Sequence, residues 1–229
     1  PELVELFVAA GFKKVFIGLE TPNETSLVEC GKRQNTRRDL VASVQILQRA
    51  GLEVMGGFIV GFDHDEHSIF ERQLRFIQEA GVVTAMVGLL AALPRTRLFE
   101  RLKAEGRLLR ESTGNNLDAV LNFVPRMEAT KLIAGYRDLL QRLYAPRGYY
   151  RRALTFLGSY RPRGPRAPFS RAEFWAFLRS LWVLGVRTRG RRAYWRYFLH
   201  VLVRYRQGFG EAMNMAITGY HFRRIAAHV

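Results

Sequence analysis

Cysteine is nearly missing. Cys30 is the only one in 229 residues. One thiol cannot build a disulfide framework, and it cannot hold a metal or iron–sulfur centre that needs several thiolates from this chain. Long apolar runs are missing as well: no stretch approaches the ~20 residues needed to cross a bilayer. The start, Pro1-Glu-Leu-Val-Glu5, has neither a basic region nor a cleavage pattern, so no signal peptide is read there. It also lacks a Met and already reads as the inside of a helix, with Leu3, Leu6 and Phe7 on one face and Gly11 as its stop. That pattern is expected of a piece of a longer protein. Acidic residues are scarce in the second half only. Residues 1–110 hold 15 Lys or Arg and 14 Asp or Glu, a net +1; the remainder hold 21 basic and 6 acidic, a net +15. The two halves therefore meet different surroundings or do different work.

What is present is an α/β pattern centred on Gly51-Leu-Glu-Val-Met-Gly-Gly-Phe-Ile-Val-Gly-Phe-Asp-His-Asp-Glu66. The apolar run Val54 to Val60 does not alternate, which predicts a parallel strand covered on both faces. Ligands of such sheets sit beyond the carboxyl ends of the strands, so Gly61 to Glu66 is the first place to look for a site. The glycines can equally relieve crowding, and Asp63, Asp65 and Glu66 can equally open the next helix. Val15 to Leu19 predicts an earlier strand, ending in Glu20; that carboxylate either binds something polar or bonds its own turn. Met86 to Leu90 predicts a third strand. Helices are expected between them: one capped by Thr36 with Asp39 in the reciprocal position, one starting at Asp65 or Glu66, and one capped at Pro94-Arg-Thr96. The order strand, helix, strand, helix, strand, helix predicts right-handed βαβ units with a parallel sheet.

Phe16-Ile-Gly-Leu-Glu20, Lys32 and Asn35, Gly57-Phe-Ile-Val-Gly-Phe-Asp63, Leu93-Pro-Arg-Thr-Arg-Leu-Phe-Glu100 running on to Leu108, and Asn122-Phe-Val-Pro-Arg-Met127 occur in an order and spacing that carry a resemblance. Together they resemble the second half of a radical S-adenosylmethionine enzyme of the cobalamin-binding-domain class, which includes hopanoid methylases and magnesium-protoporphyrin ester cyclases. The resemblance implies three parallel βα units forming half of a partial (βα)6 barrel over residues 1–128, followed by an all-α basic extension over 129–229 with a linker at 158–169. It implies that Glu20 faces the ribose and methionine part of S-adenosylmethionine. Gly57, Ile59 and Gly61 would lie beside the adenine, with Asp63 just after them, and the backbone of Leu90 and Ala91 would read the adenine edge. The cofactors implied are S-adenosylmethionine, a [4Fe–4S] cluster whose ligands lie outside this chain, and cobalamin on a domain outside it. Two departures stand out. Pro94-Arg-Thr96 replaces the usual Pro-Gly-Thr, and the three cluster cysteines are absent, so this stretch alone is expected to be inactive.

The second half predicts helices. Thr130 is a candidate cap for a helix presenting Leu132, Tyr136, Leu139 and Leu143 and ended by Pro146. Arg147 to Arg152 is a basic aromatic segment, and Arg161-Pro-Arg-Gly-Pro-Arg-Ala-Pro168 an extended linker. Residues 107–128, with Ser112-Thr-Gly-Asn-Asn116, read as a linker or lid. Ser170 with Glu173 forms a capping box, and two aromatic stripes and a last helix from about Glu211 complete a hairpin plus a third helix. Three readings of the basic aromatic half stand side by side. The stripes are core with solvated arginines, or they dock on a membrane, or they bind nucleic acid, for which no base-reading motif is present. His64 and His67 make an incomplete metal shell, so no metal ligand is assigned.

Two functions follow. The first is the C-terminal portion of a radical enzyme acting on an unreactive carbon of a small, lipid- or tetrapyrrole-like substrate, with methyl transfer in the cobalamin-dependent case. It is expected in the cytoplasm, with peripheral membrane contact through the basic half. The second is a non-catalytic basic module docking on a membrane surface or an acidic partner.

Overall fold

The computed structural model describes residues 2–112, 120–163 and 170–228. Its first half follows the expected alternation. Helix α1 (Glu2–Ala9) leads to strand β1 (Lys14–Glu20); the short α2 (Glu24–Glu29) and α3 (Leu40–Arg49) lead to β2 (Glu53–Val60). Helix α4 (Ile69–Glu79) leads to β3 (Thr84–Leu89), and α5 (Arg97–Ala104) follows. Handover from helix to strand falls on Gly51 and Gly81, whose φ values of 98° and 65° a side chain would oppose. The strands lie side by side in sequence order and pair in parallel.

Burial corrects one expectation. Strand β2 is not covered on both faces: Val54, Gly56, Phe58 and Val60 are buried, whereas Glu53, Met55, Gly57 and Ile59 are half-buried. The covered face packs Leu19, Val54, Phe58, Ala85 and Val87 against Val44 of α3 and against Phe70 and Ile77 of α4. The other face carries Phe16, Gly18, Gly57 and Met86, with Phe16 60% and Met86 41% exposed. The first half is thus built on a three-stranded parallel sheet with one open face.

Two caps differ from expectation. Asp39, not Thr36, caps α3 by accepting from the Ala42 amide, because Thr36 Oγ1 donates back to Arg33 and Arg37 turns the chain at φ 55°. Helix α4 starts at Ile69, after Ser68, because Asp65 is turned inward. Thr96 caps α5 as expected, accepting from the Phe99 amide.

The helical half is more extensive than a hairpin plus one. It holds α6 (Ala129–Tyr144), α7 (Pro146–Ser159), α8 (Arg171–Trp182), a π-helical turn Val183–Arg187, α9 (Arg191–Arg204) and α10 (Phe209–Ala226). Glu128 rather than Thr130 precedes the first residue of α6. Pro146 does not simply end α6; it begins α7, where a missing amide costs nothing. The basic aromatic segment Arg147 to Arg152 is therefore helix, with Tyr149, Tyr150 and Arg152 buried. The capping box of Ser170 and Glu173 is formed in both directions.

The core runs without a break across residue 128. Leu132, Tyr136 and Leu143 of α6 and Tyr149 and Phe156 of α7 share it with the covered sheet face. Side chains of α6 and α7 also close the outer edge of β3. Alternate carbonyls of β3 and of the residue just before it accept hydrogen bonds from Tyr136 (to Val87, 3.2 Å), Tyr144 (to Ala85, 2.6 Å) and Arg152 (to Val83, 3.3 Å). An uncovered parallel edge is an aggregation hazard; here three side-chain donors do what another strand would do. Of residues 107–128, read as a linker or lid, the two ends pair antiparallel through Leu108 and Phe123, while 113–119, like 164–169 of the Arg161–Pro168 linker, lie outside the described residues.

Candidate functional site

The carboxyl ends of the three strands bring Glu20, Ile59, Gly61 and Leu90 to one rim. Glu20 has φ 64°, a left-handed backbone uncommon outside glycine, and sits at an irregularity in the register between Gly18 and the β2 partner. The bend folds its carboxylate back over Gly18, where a β-carbon would run into Glu20 Oε1. Lys32 Nζ lies 3.2 Å from the same oxygen. An acidic group is thereby held on the open face of the sheet, and it can accept hydrogen bonds from hydroxyls or pair with a cation.

Gly57 is the register partner of both Gly18 and Met86. The ring of Phe16 crosses its bare α-carbon, so Gly57 makes room for this chain's own aromatic side chain. Ile59 is half-buried and rests against the rim cluster of Phe62, Leu90, Phe99 and Phe123. Gly61 does not continue the open face. At φ 103° its missing side chain would meet Leu132 of α6, and its amide points to Asp65.

Asp65 is the knot of the rim. One carboxylate oxygen accepts from the amides of Gly61 (2.9 Å) and Phe62 (3.1 Å); the other accepts from Ser26 Oγ (3.0 Å) and Asn23 Nδ2 (3.3 Å). Burial pushes its carboxyl above the usual range despite these donors. The bonds have a further effect. The β2–β3 ladder reaches Leu90, whose amide donates to Val60. The next rung of a parallel ladder would bring the Phe62 amide to the Leu90 carbonyl, but Asp65 has taken that amide. The Leu90 carbonyl is thereby left without a protein hydrogen-bond partner among the described residues, and the backbone of Ala91 has none there either. Beyond them, Asn122 bonds Ala92 in both directions, amide to Oδ1 at 3.0 Å and Nδ2 to carbonyl at 2.8 Å, and so pins the chain where it leaves the rim.

Asp63 is placed differently from the expectation that it binds the cofactor. Its carboxylate is held by Arg107 at 2.6 Å, Arg101 at 3.0 Å and Arg126 at 3.8 Å, with the side chain 5% exposed. Arg101 also bonds Glu29, which in turn bonds His64. Asp63 is the hub of an ionic network that ties the β2–α4 loop to α2, to α5 and to the chain after it. His67 lies edge-on to Phe70, whereas His64 bonds Glu29.

The hydrogen bonds from Arg107 hold the Asp63 carboxyl below the ordinary carboxylate range. A depressed folded pKa adds stability that is present above the unfolded pKa of about 3.9 and is lost as pH falls through the lower, folded one. The stability difference between the parent protein and Asp63→Asn should therefore be constant from about pH 7 to 5 and shrink below about pH 4. Denaturant unfolding across that range measures it; a difference that persists unchanged at the acid end would remove the network's role.

The sequence foresaw that Glu20, Ile59 and Leu90 come together at the carboxyl ends of the strands. It missed Phe16, although alternation along β1 places Phe16 on the face of Gly18 and Glu20. It also missed Asn122 and the arginines around Asp63, whose partners lie tens of residues away.

The family model described as "Domain of unknown function (DUF4070)" matches residues 96–229. An uncharacterized methyltransferase of Synechocystis sp. is 34% identical over 225 residues, covering 96% of this chain and 42% of that protein. The hopanoid C-2 methylase of Rhodopseudomonas palustris is 30% identical over 228 residues, covering 95% and 41%. The bacteriochlorophyllide d C-12(1)-methyltransferase of Chlorobaculum tepidum is 31% identical over 103 residues, covering 45% and 23%. The chain thus spans about two fifths of the length of the first two. The family match takes in more than half of the residues, and the chain belongs to the DUF4070 family, with relatives that are methyltransferases by name.

Proposed function

We propose that this chain is the C-terminal portion of a radical S-adenosylmethionine methylase, with its strands forming one side of an incomplete barrel and its rim gripping the adenosyl group. The observation that carries this is the pairing at the rim of an acidic acceptor with unsatisfied backbone groups. Glu20 lies on bare Gly18, the Leu90 carbonyl is left without a protein partner because Asp65 has taken the Phe62 amide, and the Ala91 backbone beside it is unpartnered among the described residues. A carboxylate suits ribose hydroxyls. A carbonyl beside an amide suits the donor–acceptor edge of adenine, and the Ile59 shelf between them suits the ring face.

Bound there, S-adenosylmethionine would supply radical chemistry through one-electron cleavage of its sulfonium, with the electron drawn from an iron–sulfur cluster that the proposal places outside this chain. The residues described here orient and enclose. Glu20 fixes the ribose with Lys32 as its counter-charge, and Asp65 and Asn122 keep the rim backbone rigid on either side of Leu90. Pre-set hydrogen bonds of this kind lower the cost of positioning a reactive group. The names of two relatives, a hopanoid methylase and a bacteriochlorophyllide methyltransferase, support a methyl acceptor of the hopanoid or tetrapyrrole kind; a cobalamin methyl carrier held outside this chain belongs to the proposal alone.

Anaerobic incubation of the reconstituted full-length protein with S-adenosylmethionine and a reductant tests the reading. 5′-Deoxyadenosine is expected, with a cysteine triplet of the form Cys-x-x-x-Cys-x-x-Cys encoded upstream. S-adenosylhomocysteine without 5′-deoxyadenosine would replace it with polar methyl transfer.

A further inference from the structure

All three tryptophans of the chain sit on the α8–α9 hairpin, and all three are outside the core: Trp175 is 68%, Trp182 59% and Trp195 38% exposed. Each helix buries a different stripe. Phe177, Ser180 and Leu184 of α8 and its π-helical turn, with Tyr194, Tyr197 and Val201 of α9, face inward, where Phe177 stacks on Phe198. The outward stripes are also apolar. Phe174, Leu178 and Trp182 recur at four-residue spacing, with Trp175 beside them; Trp195, Leu199, Leu202 and Val203 do the same on α9. A second apolar face on a helix that already has a buried one calls for a further apolar surface.

The charge around these stripes is almost wholly of one sign. Residues 171–206 contain nine arginines and one glutamate. Four of the arginines, Arg187, Arg189, Arg191 and Arg192, stand at the turn of the hairpin. With Arg147 they line a cavity of about 640 Å³. None of the five is ion-paired to a carboxylate among the described residues. Trp195 is anchored at the same turn, its indole N–H donating to the Gly185 carbonyl at 2.9 Å. No helix of the described residues is long and apolar enough to cross a membrane.

From this arrangement we infer that the α8–α9 hairpin docks in the plane of an anionic bilayer. Its tryptophans and aliphatic side chains enter the headgroup–acyl boundary, and the arginines of its turn bind lipid phosphates. Tryptophan favours that boundary because it joins an apolar ring to a polar N–H. Exposed aliphatics between the tryptophans distinguish this face from a base-stacking platform, because leucine and valine have no π-face to offer a base. The excess of arginine fits the negative potential of an anionic leaflet. The docking stands apart from the rim chemistry: the rim needs no membrane, and the hairpin needs no cofactor.

Flotation of the full-length protein with neutral phosphatidylcholine vesicles, and with vesicles containing anionic phosphatidylglycerol, tests the inference. Binding to the anionic vesicles is expected, weakening steeply as salt rises. Each arginine near the surface is worth about fivefold in partitioning, so Arg189→Gln, Arg191→Gln and Arg192→Gln together should lower binding about a hundredfold. These side chains are exposed, and an unchanged circular dichroism spectrum separates lost docking from lost folding. Brominated lipid should quench tryptophan fluorescence in the parent protein, and Trp175→Phe with Trp182→Phe should remove most of that quenching. Three outcomes would each overturn the inference: no flotation at low salt, equal flotation with neutral vesicles and in the triple variant, or salt-sensitive binding to single-stranded nucleic acid without binding to vesicles.

Discussion

Replacing Arg152 with alanine should destabilise the protein by about 4 kcal/mol, the range for stripping a buried charge site of its occupant and leaving its partners unpaired. Arg152 is 0% exposed and, among the described residues, is ion-paired to no carboxylate. Its charge is balanced by dipoles and ring faces. One Nη donates to the Leu143 carbonyl at 2.9 Å near the end of α6, the other to Val83 at 3.3 Å, and the guanidinium lies 5.6 Å and 5.2 Å from the ring centres of Tyr144 and Tyr149. Burial lowers the guanidinium pKa from its ordinary value, the two tyrosine rings opposing the shift. Alanine would leave both carbonyls buried and bare and open a large cavity between the sheet edge and the helical half. Methionine keeps most of the volume but none of the donors, so Arg152→Met should lie between the parent and Arg152→Ala, at roughly 2 kcal/mol. Denaturant midpoints with unchanged slopes measure both. A cost below about 1 kcal/mol for alanine would mean that the helices do not depend on this latch.

The Arg152 site also shows where sequence reading reached its limit. The parallel sheet, its order and most helix boundaries were legible, because glycine stops and apolar spacing are local signals. That α7 is a helix was not. A proline followed by Arg-Gly-Tyr-Tyr-Arg-Arg reads as a break plus a basic patch, and only the sheet edge it meets makes those residues core. Arginine at such a position looks like surface until the carbonyls of Val83 and Leu143 are in view. The same holds at the rim. Glu20 was legible as a carboxylate at a strand end. Asp63 was read as part of the cofactor site and Asp65 as a helix start, yet one is the hub of three arginines and the other replaces a rung of the sheet. Their partners come from distant segments, and no spacing rule links them. The basic aromatic half divided the same way: seven of its nine tyrosines are buried and its three tryptophans are exposed, a distinction that helical periodicity alone does not make.

Gly18→Ala should lower the affinity of the full-length protein for S-adenosylmethionine about a hundredfold while changing its folding stability by less than about 1 kcal/mol. The reason lies in what the new methyl group would meet. Its neighbours are Glu20 Oε1 and, at 3.1 Å, Lys32 Nζ, the far ends of two flexible side chains and not backbone. They can swing away at little cost, so the sheet survives, but Glu20 leaves the open face. Glu20→Ala should then produce a similar loss, because both changes remove the same group from the same place. The double variant should be little worse than either alone, since two routes to one missing contact are not additive. Equilibrium binding of the cofactor to the four proteins, with thermal unfolding alongside, measures all three claims. If the two losses add in full, Gly18 acts on the ligand directly and Glu20 is not the group it protects. If neither change weakens binding, the adenosyl group is gripped elsewhere and the rim assignment falls.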